Sequence, residues 1–271
     1  VGIGTTNPDG AVGAALTSKL SVGIVSAYQF YGDASQMTGA GFTQDSNCNL
    51  IAGKDAGTCA GASPSSFNII LGCGTGCFNG NGEHNVVLGT HSGKCAVGAG
   101  RNVLIGMCAG TCVNDGKCNV YIGNYSGANQ YCSDNIAIGC QALCGHTTAS
   151  NNTGTQNIAL GKASGKCICS GDNNVTIGCG AGYNLTSAQY TIAIGKEAGL
   201  CNTTPENNIM LGCGAGKCIT TGFGNILMGH SAGLSQGSAG TGQNNIALGL
   251  QAGQGNTGGH GNIFLGKNAG K

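Results

Sequence analysis

Tryptophan is absent from this 271-residue chain, proline occurs only 3 times, and 8% of the residues are charged. The scarcity of proline excludes collagen despite 54 glycines, because collagen combines glycine at every third position with abundant proline. With a formal net charge of +1 and no run of Lys or Arg, the sequence offers no basic surface for nucleic acid or anionic lipid. It also lacks a run of about 18 apolar residues that could cross a bilayer. We therefore expect neither nucleic acid as a partner nor insertion into a membrane.

What the chain has instead is glycine and cysteine. Glycine at this level, combined with evenly scattered Ile, Leu and Val, argues against an ordinary helical or α/β enzyme and against disorder. A regular, turn-rich structure remains. The 17 cysteines are too many for a cytosolic protein that has no metal or redox role, and they favour an extracellular or virion-surface location.

One motif recurs thirteen times along the chain: Asn, three apolar residues, Gly, two variable residues, a small residue and Gly. We call the first residue of each motif the anchor. Most anchors are 17 residues apart, and only Thr191 departs from Asn, while Leu143 is the one replacement of the second Gly. The repeat predicts two regions, a non-repeat N-terminal segment at residues 1–45 and a repeat region at residues 46–271.

The repeat predicts an all-β fold. Three apolar residues are too few for a helix, and the flanking glycines supply the positive φ angles that tight corners need. Because a 17-residue unit cannot bury a core alone, the copies must stack, each strand pairing in parallel with its equivalent about 4.8 Å away. We therefore expect a parallel β-helix or β-roll solenoid of about thirteen coils.

The stacked anchors should form a ladder at one corner of the solenoid. An amide side chain at a turn can bond the neighbouring coil and satisfy backbone groups that the corner leaves unpaired. The ladder residues that we expect are Asn68, Asn85, Asn102, Asn119, Asn157, Asn208 and Asn225.

The middle apolar residue of each triplet is predicted to face outward. Successive strand residues face opposite ways, so the first and third residues would fill the coil and the middle one would remain outside. Such an apolar stripe exceeds what monomers tolerate and indicates an interface in a homotrimer. The alternative is a single wide coil whose strands are buried on both faces. The expected interface residues are Ile70, Leu104, Tyr121, Met210, Leu227 and Phe264.

Two families resemble this chain. The string VGIGTTNP at its start, the segment from Ser21 to Phe42, and repeats such as NIILGCGTGC and NNIALGLQAG are similar to tail-fibre-like structural proteins of marine phages, including cyanophages. This resemblance implies that residues 1–45 are a fibre segment. The string TIAIGKEAG, from Thr191 to Gly199, resembles the heads of trimeric autotransporter adhesins. That resemblance implies a left-handed parallel coil and threefold association.

The cysteines follow the repeat. Many lie ten residues after an anchor, and because equivalent residues on adjacent coils are about 4.8 Å apart, Cys95 with Cys112 and Cys201 with Cys218 are candidate disulfides. Pairs within one corner compete with these coil-to-coil bridges. They are Cys73 with Cys77, Cys140 with Cys144, Cys108 with Cys112 and Cys213 with Cys218.

No pattern in the sequence indicates catalysis. The glycine-rich string from Gly212 to Lys217 lacks the Ser or Thr that must follow the Lys of a phosphate-binding loop, and the five His residues have no metal-ligand spacing. We expect no catalytic residue, no metal and no cofactor. The predicted function is a structural shaft of a fibre, assembled from copies of this chain and supporting attachment to a host receptor through another region. The alternative is a cellular surface adhesin or filament subunit.

Overall fold

A computed structural model describes residues 43–58, 66–79, 82–145, 152–233 and 240–271. The predicted N-terminal segment at residues 1–45, with its VGIGTTNP motif, lies almost entirely outside the described residues. Strands β2 to β16 all fall within residues 46–271. The strands are β1 Thr43–Gln44, β2 Leu50–Ala52, β3 Ile69–Leu71, β4 Phe78–Asn79, β5 Val86–Leu88, β6 Ala96–Val97, β7 Val103–Ile105, β8 Val120–Ile122, β9 Ile136–Ile138, β10 Ile158–Leu160, β11 Val175–Ile177, β12 Ile192–Ile194, β13 Ile209–Leu211, β14 Ile226–Met228, β15 Ile246–Leu248 and β16 Ile263–Leu265.

The apolar triplets form one long sheet of 14 strands, in the order β1-β2-β3-β5-β7-β8 and then β9 to β16 in sequence. Apart from β1, which pairs with β2 antiparallel, every neighbour is parallel and in register, as in the pairing of Ile158 with Val175. Strands β4 and β6 form a second, two-stranded parallel sheet on another side of the coil. The predicted parallel β-solenoid with a 17-residue unit is therefore confirmed.

The middle residue of each triplet points into the coil, so the predicted outward orientation is wrong. Ile70, Leu104, Tyr121 and Met210 each have 0% of their surface exposed, and Leu227 has 2%. In the last strand, Phe264 is partly buried against the same core. Because side chains alternate along a strand, either the first and third residues of a triplet face inward or the middle residue alone does. In this coil only the middle residue faces inward.

The remaining core positions explain why one inward residue per strand is enough. The small residue seven positions after the anchor, such as Ala109 or Ser126, is fully buried. A third inward position, eleven residues after the anchor, holds Val113, Ile168 and Leu185 at 0 to 1% exposure. These side chains share the interior with the middle strand residues, and together they fill a narrow coil.

Glycine four residues after each anchor makes the stacking possible. At Gly106 the φ angle is +130°, and a Cβ atom would lie 2.6 Å from the carbonyl oxygen of Gly123 in the next coil. The same close approach recurs from Gly53 to Gly249 along the solenoid. The backbones of successive coils are therefore in contact at this corner, and only a residue without a Cβ fits there.

Candidate functional site

The outward side of the long sheet carries two rows of aliphatic side chains, the first and third residues of each triplet. We call these rows, from strands β2 to β16 of the long sheet, the outer aliphatic face. All its members are Ile, Leu or Val, except Ala52 and Met228. Most are half-buried by their neighbours along the row, and several are exposed, including Ile69 at 39% and Ile138 and Met228 at 41%. The face carries no charged residue.

The outer aliphatic face is large for a single chain. Thirteen strands at about 4.8 Å spacing extend for about 60 Å, and three residues of strand span about 10 Å. The product, on the order of 600 Å², lies at the upper end of the apolar patches found on monomeric proteins. Because both rows repeat with the strand spacing, a surface with the same repeat can pack against them along the whole length.

The anchor side chains form the predicted ladder at one edge of this sheet. In the section from Asn85 to Asn119, each anchor backbone N–H donates to the side-chain oxygen of the preceding anchor at 2.8–2.9 Å. The side-chain nitrogen of Asn102 donates at 2.9 Å to the carbonyl of Gly116 across the coil. All seven predicted ladder residues are buried, so these bonds lie away from water. The ladder satisfies buried backbone groups that the corner would otherwise leave unpaired.

Thr191 interrupts the ladder. Its backbone N–H donates to the side chain of Asn174 at 3.0 Å, and its hydroxyl can donate to the carbonyl of Pro205 or of Gln189, each at 3.3 Å. The next anchor, Asn208, lacks the equivalent bond to Thr191. Every other described anchor after the first donates its backbone N–H to the side chain of the anchor before it. The shorter Thr side chain keeps the bond across the coil and loses the bond along the ladder.

We expect Thr191→Asn to stabilise the fold by about 0.5 to 1.5 kcal/mol, because an Asn side chain restores the bond to the N–H of Asn208. Thermal unfolding measures the gain. The matched control is Thr191→Val, which removes the bond to Pro205 and should destabilise by about 1 kcal/mol or more. A Thr191→Asn variant no more stable than the parent chain would show that the missing ladder bond has no energetic weight.

None of the predicted disulfide pairs is formed in the structure, and the bonding of Cys77 contradicts one of them. Cys95 with Cys112 and Cys201 with Cys218 are neighbours on adjacent coils, but all four are free thiols. Cys77, in contrast, is disulfide-bonded, whereas Cys73 is a free, exposed thiol. The predicted pair of Cys73 with Cys77 is therefore wrong, because the residue five positions after an anchor faces solvent and the residue nine positions after it is partly buried.

Cys140 and Cys144 are also unbridged, the first exposed and the second half-buried. Their positions in the repeat are the same as those of Cys73 and Cys77, five and nine residues after an anchor. The same difference in exposure therefore recurs at two separate places in the solenoid.

Reactive side chains are scattered rather than gathered into a site. Within the described ranges, no group of three or more His, Cys, Asp or Glu side chains is placed to hold a metal ion. Cys132 is buried in the core, where desolvation raises the pKa of its thiol to about 12. A thiol with so high a pKa is protonated at neutral pH and is a poor nucleophile. No helix in the same ranges has the length and hydropathy of a membrane span.

The chain matches no family model, no curated protein and no solved structure. Its functional interpretation therefore depends on the outer aliphatic face, the anchor ladder and the cysteines.

Sequence reasoning missed the outer aliphatic face, although a signal for it was present. Four middle residues are alanine, at 137, 159, 193 and 247, whereas the first and third positions hold Ile, Leu, Val or Met in all but one case. A narrow coil interior requires small side chains at some of its levels. The outer surface has no such limit, so large side chains can occur there in every repeat. The size of the side chains therefore indicates the orientation that alternation alone leaves open.

Proposed function

We propose that this chain is a structural shaft segment of an extracellular or virion-surface fibre, not an enzyme, and that it works as a homotrimer. The observation that carries the proposal is the outer aliphatic face, which follows the solenoid from β2 to β16 without a charged residue. An apolar surface of this length is costly to expose to water. Covering it with copies of the same chain gives an assembly whose length and stiffness come from the solenoid.

A second copy suits this face better than an unrelated partner. The face has a fixed spacing of about 4.8 Å, and an identical chain aligned along the same axis presents the same spacing at every level. Each copy would bury a face of about 600 Å², which is somewhat less than the roughly 800 Å² per partner of a standard specific interface. The aliphatic side chains would also be free of the desolvation cost that charged groups carry.

Threefold association uses both rows of the face. When three solenoids surround one axis, the row of first residues on each chain can pack against the row of third residues on its neighbour. Six rows then converge on the axis, and each has a partner. Closed cyclic symmetry also limits the assembly to a defined number of chains, which an open lateral contact would not do.

The proposal is tested by the mass of the native assembly, measured by light scattering coupled to size-exclusion chromatography. We expect the parent chain to have the mass of three chains. The variant Ile158→Lys with Ile209→Lys places two charges in the face and should have the mass of one chain, because a charge cannot be buried there without a partner. Its circular dichroism should remain that of the parent, since both side chains point away from the core.

The matched control is Ser170→Lys with Thr221→Lys, which adds the same charges to the same two coils away from the sheet. Both side chains are exposed, and both lie thirteen residues after their anchor. The control should retain the mass of three chains. A parent chain that has the mass of one chain at high concentration would refute self-association, and a mass of two chains would refute the threefold arrangement.

A further inference from the structure

The cysteines divide into two columns along the solenoid. The inner column lies nine or ten residues after the anchors and contains partly buried side chains, apart from the exposed Cys95. The rim column lies five residues after the anchors, directly beside the outer aliphatic face, and all its members are exposed. The described inner-column residues are Cys77, Cys95, Cys112, Cys144, Cys167, Cys201 and Cys218, and the rim-column residues are Cys73, Cys140, Cys179 and Cys213.

Inner-column cysteines occupy consecutive coils and contact each other. The backbone N–H of Cys112 donates at 2.8 Å to the carbonyl of Lys94, the residue next to Cys95. The backbone N–H of Cys201 makes the equivalent bond at 2.8 Å to Lys217, next to Cys218. Backbones joined in this way hold their Cα atoms within the range that a disulfide requires.

The disulfide at Cys77 limits which neighbour Cys95 can pair with. Strand pairing aligns Phe78 with Ala96 and so places Cys77 beside Cys95. Because Cys77 is already disulfide-bonded, Cys95 is left with Cys112 on its other side. The rim residue Cys73 remains free although it is only four residues from Cys77. Cys77 therefore bonds without using its neighbour in the rim column, and the other described inner-column cysteines are free thiols in the structure.

The same logic applies to Cys144. It occupies the repeat position of Cys77, while Cys140 occupies that of Cys73. The backbone N–H of Gly145 donates at 2.9 Å to the carbonyl of Lys166, which brings Cys144 diagonally beside Cys167 in the next coil. Both thiols are half-buried. Cys167 is thus the partner that the column supplies.

Rim-column cysteines cannot bond along their own column. Among the described coils no two rim cysteines are consecutive, and the nearest pairs, Cys140 with Cys179 and Cys179 with Cys213, are two coils apart. Two coils correspond to about 9.6 Å, which exceeds the limit of about 7 Å between the Cα atoms of a disulfide. The rim thiols therefore cannot pair with one another within one chain.

We propose that the inner column forms coil-to-coil disulfides, Cys95 with Cys112, Cys144 with Cys167 and Cys201 with Cys218, and that the rim column stays reduced within the chain. For each bridge, two S–H bonds break and one S–S bond forms. The two electrons and two protons pass to a disulfide oxidant such as glutathione disulfide, whose own S–S bond is cleaved to two thiols. Each bridge joins two consecutive coils of a solenoid in which a coil otherwise contacts only its neighbours.

Peptide mapping without reduction tests the proposal on the full chain after equilibration with glutathione disulfide. We expect linked peptides for the three inner-column pairs and alkylation of the rim cysteines after unfolding without reductant. Linkage of Cys140 to Cys144, of Cys108 to Cys112 or of Cys213 to Cys218 would overturn the assignment. So would alkylation of the six inner-column thiols under the same conditions.

Two single variants sharpen the test. Cys167→Ser should leave Cys144 as one additional alkylated thiol, because its partner has been removed. The matched variant Cys140→Ser should leave the linkage of Cys144 to Cys167 intact and should remove one alkylated rim thiol. If Cys140→Ser instead releases Cys144, the bridge lies within one corner and the proposed column is wrong.

Discussion

Gly106→Ala is expected to destabilise the solenoid by about 4 kcal/mol or more, a loss at the upper end for a single substitution. At a φ of +130° an alanine is strained, and its Cβ would lie 2.6 Å from the carbonyl oxygen of Gly123. That oxygen belongs to the backbone of the next coil, which cannot move without breaking the register of the sheet. Thermal and denaturant unfolding of the isolated chain measure the loss.

Gly266→Ala is the matched control. Gly266 has the same place in its repeat and a φ of +110°, but no atom lies within 4 Å of its Cβ position. The substitution should therefore cost only the backbone strain, about 1 to 3 kcal/mol. Equal losses at Gly106 and Gly266 would mean that strain accounts for the whole effect and that contact between coils does not require glycine.

The fold could be predicted from the sequence because its local signals agree with each other. A 17-residue spacing, an apolar triplet and glycine at fixed offsets all require the same stacked arrangement. The role of the anchors follows equally, since a buried amide such as that of Asn102 can both accept and donate at a corner. These features depend only on one repeat and the repeat next to it, so they can be predicted from a single sequence.

The orientation of the triplets could not be predicted in the same way. Alternation specifies that the outer two residues of a triplet face the side opposite to the middle one, but not which side is the core. The outcome is decided by the rest of the coil, where side chains such as Ala109 and Val113 already occupy the interior. The interior therefore has space for only one side chain from each triplet, and in β7 that side chain is Leu104.

The cysteines show a second limit of the repeat register. Counting from the anchors places Cys77 and Cys95 one position apart, yet strand pairing aligns them because β4 and β6 are offset by one residue. Such offsets arise between strands, where the coils differ by single residues, and the repeat count does not record them. Partners of cysteines therefore follow from the spatial column and not from the count alone.

Leu104→Ala is expected to destabilise the isolated chain by about 2 to 5 kcal/mol, because it removes a fully buried side chain from a core that cannot collapse around the cavity. Leu160→Ala removes the same atoms from a half-buried position on the outer aliphatic face and should cost about 1 kcal/mol or less. Both losses are measured by thermal unfolding at chain concentrations too low for association, so that contacts between copies do not contribute. At concentrations where the chains associate, Leu160→Ala should also weaken the oligomer. Equal costs in the isolated chain would mean that the strands are buried on both faces, and the outer aliphatic face would then not be an interface.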